Sequence, residues 1–197
     1  KEYIIYLSGN LVTPAPWINV VANPQFGFLA SERGLVNTWF GNSQSNRLTP
    51  WSNDPLIDPI TDVIYLRDEE TGVFWTITSG TIREKDAYRI KHGQGYTIYE
   101  HISHAIEQEM KVFVPLKDDT STPPPVRIQI IRLKNHSNRK RKLSLFAYND
   151  LVLGTNKEQT QKFIVTNWNV DKKALLATNS YHPDYPKRIA FLHIDSN

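Results

Sequence analysis

Short runs of alternating apolar and polar residues, each closed within a few positions by Gly, Pro, Asn or Asp, dominate this chain and restrict it to an antiparallel β fold. They fall at residues 3–7, 63–66, 73–77, 96–101, 110–115, 126–133, 143–148 and 162–166 and are rich in β-branched and aromatic side chains. Many short strands closed by Pro-rich turns predict an all-β sandwich, in a chain of this length a large double sheet. At 197 residues the chain is long enough to bury a core without a metal or disulfide staple.

Three local readings carry structural expectations. In 126–133 the apolar set Val126, Ile128 and Ile130 gives way to Ile131 and Leu133. That slip of phase predicts a β-bulge near Ile130 or Ile131. The turn signal at 135–138 predicts a hairpin with 143–148, whose basic run 139–142 would be its solvated tip. Residues 99–110 (YEHISHAIEQEM) fit helical spacing and alternation almost equally, and the flanking glycines and Val112–Val114 favour strand. Thr122 to Pro125 form a polyproline-prone loop, and neither a repeat nor a domain boundary stands out.

Composition removes several function classes. Cysteine is absent, so there is no disulfide, thiolate nucleophile or cysteine zinc site. Twenty-three Lys and Arg against 20 Asp and Glu leave a small excess without the spread, aromatic-interleaved basic face of a nucleic-acid binder. No apolar run approaches the ~18 residues that cross a bilayer, which predicts no membrane insertion by this chain. The start at Lys1 rather than Met suggests a piece of something longer.

The segment 42–55 (NSQSNRLTPWSNDP) is dense in amide, hydroxyl and indole groups and reads as a surface that cannot be core. A flat apolar ring at Trp51 among the polar groups of Asn42, Asn46, Arg47, Ser52, Asn53 and Asp54 is the mix a sugar ring requires. Trp39 and Trp51, flanked by polar residues or Gly, read as sugar platforms, whereas Trp75 and Trp168 read as core. The HGQGY segment, with His92 and Tyr96, reads either as a ligand border or as a tight turn. Paired carboxyls for glycoside chemistry are sought at Asp54 with Asp58, or at Glu100 beside His101, and backbone capping explains such acids equally well. Six histidines give no convincing metal spacing, because His101 and His104 would lie on opposite faces of a strand. No serine-nucleophile motif is present, and no cofactor is indicated.

The ordered series ANPQFGFLASERG (22–34), NSQSNRLTPWSNDP (42–55), YLRDEETG (65–72), HGQGY (92–96), FVP (113–115) and VLG (152–154) resembles the phosphorylase-like region of cyclic β-1,2-glucan synthases, grouped with the phosphorylases of glycoside hydrolase family 94. The likeness runs from Pro16 to Phe191. It implies a galactose mutarotase-like supersandwich, incomplete at its C-terminus, preceding an (α/α)6 barrel that carries the catalysis. The implied role is non-catalytic: packing on that barrel, possible dimer formation, and loops lent to the rim of the sugar site. The parent would be a bacterial inner-membrane transferase with this part facing the cytoplasm. Related synthases carry Arg-Glu where this chain has Gln44 and Ser45, and Glu-Trp where it has Asp150 and Leu151. The resulting carbohydrate-contact set is Asn46, Arg47, Trp51, Asp54, Trp39, His92 and Tyr96, for a β-1,2-glucan or related oligosaccharide. Competing expectations are a free-standing sugar-binding module and a mutarotase-like enzyme using His92 or His101 with Glu100.

Overall fold

The computed structural model describes residues 1–52, 54, 56–116 and 122–195. Alternation is clearest in β8 (Tyr96–Ser103) and β9 (Ile106–Phe113), where every second side chain is buried. These strands lie in a five-stranded sheet with β1 (Glu2–Leu7), β7 (Tyr88–Gly93) and β10 (Ile128–Asn135), in the order β1-β7-β8-β9-β10. A second sheet has the order β11-β5-β4-β3-β2, from β11 (Leu143–Asn149), β5 (Asp62–Asp68), β4 (Gly34–Phe40), β3 (Phe26–Ser31) and β2 (Asn19–Ala22), with β6 (Phe74–Thr76) paired to β5. A third, three-stranded sheet joins β12 (Ile164–Asn169), β13 (Ala174–Asn179) and β14 (Ile189–His193). All the pairings are antiparallel. A one-turn helix, α1 (Lys157–Thr160), is capped by the Asn156 side chain.

The inner faces of the two large sheets meet in one core containing Ile90, Tyr99, Ile106 and Val112 from the first and Phe28, Leu35, Leu66 and Trp75 from the second. Fully burying a side chain such as Phe28 or Leu66 contributes ~1.5–3 kcal/mol, so this layer holds the sandwich together. A polar seam crosses the same interface. Arg127 donates to Asp62 at 2.8 Å and to the Thr38 hydroxyl, and Asn149 donates to the other Asp62 oxygen.

The ambiguous segment is a hairpin. His104 and Ala105 both have positive φ (51° and 59°), as a two-residue turn matching strand twist requires. His104 therefore lies in the turn, where both it and His101 reach Glu84, at 2.5 and 3.0 Å.

Four expectations are overturned. β10 pairs continuously with β9, and no bulge interrupts Ile130 or Ile131. Ile131 sits opposite buried Met110 and faces the core, while Ile128 and Ile130 lie on the outer face, which simply carries apolar residues. The bulge lies instead between β3 and β4, at Leu29 and Ala30. Residues 143–148 do not form a hairpin with β10, because β11 pairs with β5 in the opposite sheet. The basic run between them is an arch rather than a hairpin tip; Arg139, Lys140 and Lys142 are exposed, but Arg141, 8% exposed at its side chain, bonds Asp68 at 2.6 Å and the His104 carbonyl at 2.8 Å. Trp168 is not core, being 57% exposed on β12.

Candidate carbohydrate-contact loop

Two Asx turns shape the segment 42–55. Asn42 Oδ1 accepts from the backbone N–H groups of Gln44 and Ser45, and Asp54 Oδ1 from those of Leu56 and Ile57. Asn53 and Pro55 lie outside the described residues. The middle of the loop is anchored, contrary to its reading as surface throughout: Asn46 and Thr49 are 7% and 2% exposed. Asn46 exchanges hydrogen bonds with the Phe40 backbone, and the Thr49 hydroxyl accepts from the Thr38 N–H at 2.9 Å. Arg47 exchanges backbone hydrogen bonds with Gly154 at 2.9–3.0 Å. A Cβ at Gly154 would fall 2.7 Å from Thr160 Cγ2, so close approach requires glycine there.

Arg47 and Trp51 emerge from this anchor. The guanidinium lies 5.7 Å from the centroid of the Trp51 ring. Its Nε donates to the Ser43 carbonyl at 3.0 Å and its NH1 to the Thr155 carbonyl at 2.9 Å. Partial burial pulls its pKa down from the usual value. Trp51 is 38% exposed, an indole face open to a ligand and backed by a cation. Trp39 is half-buried, and its ring packs so tightly on Gly27 that a Cβ there would meet Cζ2 at 2.3 Å. The side chains of Asn46 and Asp54 are engaged in shaping the loop, as are Nε and NH1 of Arg47, whereas Trp51 presents its ring outward.

His92 and Tyr96 lie elsewhere, and their hydrogen-bond partners are disjoint from those of the loop. His92 Nε2 donates to the Trp17 carbonyl and Nδ1 accepts from the Thr97 hydroxyl, both at 3.1 Å. Burial lowers its pKa and favours the neutral ring. It borders an open cleft of about 550 Å³ with Tyr3, Pro16, Trp17, Ile18 and Asn19. Tyr96 folds its ring over Gly93 and donates to Glu2 at 2.8 Å, a bond that raises its pKa.

The candidate acids are dispersed. Glu100 points to the outer face of β8, in ion pairs with Arg89 and with Lys91 at 2.6 Å, while His92 and His101 point inward from β7 and β8. Partial burial pushes the Glu100 carboxyl up, but the bonds to Arg89 and Lys91 outweigh it and lower its pKa. An imidazole–Glu100 couple therefore has a sheet between its members. Asp58 is buried and bonded by the Ser31 hydroxyl at 2.7 Å; burial raises its pKa. Asp54, the other half of that pair, serves as a cap.

Two residues beside the loop were missed in the sequence. His182 donates from Nε2 to the Ser45 carbonyl while Nδ1 accepts the N–H groups of Asp184 and Tyr185, all at 3.1 Å. It pins the loop to a turn 137 positions away. In that turn Arg188 lies 4.3 Å from the ring centroid of Phe40 and 5.3 Å from that of Tyr185. Neither carries a local signal, since the relation exists only once the third sheet is docked.

A family model described as glycosyl hydrolase 94, supersandwich domain, matches residues 1–197. The chain is 35% identical to cyclic beta-(1,2)-glucan synthase NdvB of Rhizobium meliloti, over 100% of its own length and 7% of that protein. It is 25% identical to N,N'-diacetylchitobiose phosphorylase of Vibrio proteolyticus over 75% of this chain and 28% identical to solabiose phosphorylase of Paenibacillus borealis over 72%, in each case 18% of the relative. The chain thus spans a small part of the curated relatives it matches. Sandwich architecture, whole-length family match and full-length similarity agree: this chain belongs to the glycosyl hydrolase 94 family, as a supersandwich domain.

Proposed function

We propose that residues 1–197 form one non-catalytic sandwich domain of a cyclic β-1,2-glucan synthase-like protein, supporting assembly of a phosphorylase-type (α/α)6 catalytic domain and touching glucan at its rim. The observation that carries this reading is the clamped loop, in which an exposed Trp51 face is backed by Arg47 and held by Phe40, Gly154 and His182. An indole packs on sugar C–H groups, and a guanidinium donates to hydroxyls without titrating. The dispersal of the candidate acids supports a contact role over a hydrolytic or mutarotase-like one.

Assembly is supported by the third sheet. Val165, Ile189 and Phe191 are exposed on one of its faces and Trp168 on the other. We assign these faces to packing against the catalytic domain. In this reading the parent sits in the bacterial inner membrane and spans it with other segments; among the described residues no helix is long and apolar enough to do so.

Calorimetric titration of the full-length protein with β-1,2-gluco-oligosaccharides tests the contact. Trp51→Ala is expected to weaken binding about tenfold, the loss of ~1–2 kcal/mol of ring contact. An unchanged isotherm would count against the loop. Glucose anomerisation accelerated by the protein and lost in Glu100→Gln would overturn the non-catalytic assignment.

A further inference from the structure

Arg188 is an exposed guanidinium lying over the Phe40 ring and near that of Tyr185, and among the described residues its side chain makes no hydrogen bond or ion pair. Contact with the aromatic face restrains the guanidinium while leaving its N–H donors unspent, an arrangement pre-organised for a ligand with paired acceptors. Its support is continuous with the clamped loop. Phe40, under the guanidinium, exchanges hydrogen bonds with Asn46, the neighbour of Arg47. Tyr185, the second ring near the guanidinium, packs 5.0 Å from His182, which holds the Ser45 carbonyl.

The same turn lines an open cleft of about 370 Å³, with Asp184, Tyr185, Pro186, Lys187 and Arg188 around it. A site built for an anion would exclude a carboxylate. One offering both carboxylate and guanidinium beside a ring suits a neutral polyol, whose hydroxyls donate to the first and accept from the second. We propose that Arg188 is a second carbohydrate-contact residue, which with Arg47 on Trp51 anchors the hydroxyls of a glucan at two points of one rim. The proposal rests on the carbohydrate reading of the neighbouring loop and extends it to a segment that reading did not include.

The test is titration of the full-length protein with a β-1,2-gluco-oligosaccharide, and separately with inorganic phosphate, in the native sequence and in Arg188→Ala, Arg188→Lys and Trp51→Ala. Arg188→Ala is expected to weaken oligosaccharide binding about tenfold. Arg188→Lys is expected to weaken it several-fold despite keeping the charge, with an unchanged melting temperature, because an ammonium cannot supply the planar fork. Loss in Trp51→Ala with none in either Arg188 variant overturns this inference and leaves the loop reading standing. Loss in the Arg188 variants with none in Trp51→Ala overturns the loop reading and with it the two-point rim, leaving Arg188 as a contact by itself. No heat with oligosaccharide in the native sequence overturns both, and phosphate binding abolished by Arg188→Ala then identifies an anion site instead.

Discussion

Glu84 carries two hydrogen bonds on one carboxylate, from His101 and His104, and the Ser103 hydroxyl also favours its charged form. Partial burial pushes its pKa up, but those bonds outweigh it and hold the group below its usual 4.5. A depressed carboxyl adds stability that is present above the unfolded pKa and lost as pH falls through the folded one. Glu84→Gln is therefore expected to cost about 1–3 kcal/mol at neutral pH and to flatten the loss of stability on acidification below 4.5. Denaturant titrations at a series of pH values would check it, and an unchanged acid limb would count against the clasp. Little of this was legible in the sequence. His101 and His104 looked mismatched for a shared partner because a strand was assumed through both, and the loop carrying Glu84 offered no periodic signal.

Among the elements, strands with one face in the core and one outside were readable: β8 and β9 alternate cleanly, and 96–101 and 110–115 fell within or against them. β3 and β4 were not, since they are buried almost throughout and Gly27 and Gly34 interrupt the run. The turn at His104 and Ala105 also lacks the Asn-Gly signature that announces such hairpins. Ala105 at φ 59° stores strain there, so Ala105→Gly is expected to raise stability by roughly 1 kcal/mol. Gly27 makes the opposite case. A methyl group driven into the Trp39 ring is expected to cost about 1–3 kcal/mol in Gly27→Ala and to disturb the strand leading into the loop. Thermal or chemical unfolding measures both, and a neutral Gly27→Ala would contradict the packing. The misplaced bulge had a physical source as well: β10 carries apolar residues on both faces, so phase alone could not tell core from surface.

For the molecule as a whole, two sheets close on a shared core while a third extends from them with apolar residues exposed. Asn179 donating to the Leu153 carbonyl at 3.0 Å, with the His182 and Arg188 contacts, ties that third sheet to the rest. The sandwich class and the exposure of the Trp51 ring were legible because each depends on local pattern. The crossing from β10 to β11 and the part played by the third sheet were not, because each depends on contacts distant in sequence. If the third sheet packs on the catalytic domain, Trp168→Ser with Phe191→Ser should leave the sandwich folded, surface changes costing about 0.5 kcal/mol or less, yet lower the melting temperature of the full-length protein. Equal melting temperatures would count against that docking. The central claim, that this domain touches glucan without performing the chemistry, is tested most directly by steady-state turnover of β-1,2-glucan by the full-length protein carrying Trp51→Ala and Arg47→Ala. Loss of contact alone is expected to raise KM about tenfold with kcat nearly unchanged, whereas a collapse of kcat at constant KM would contradict it.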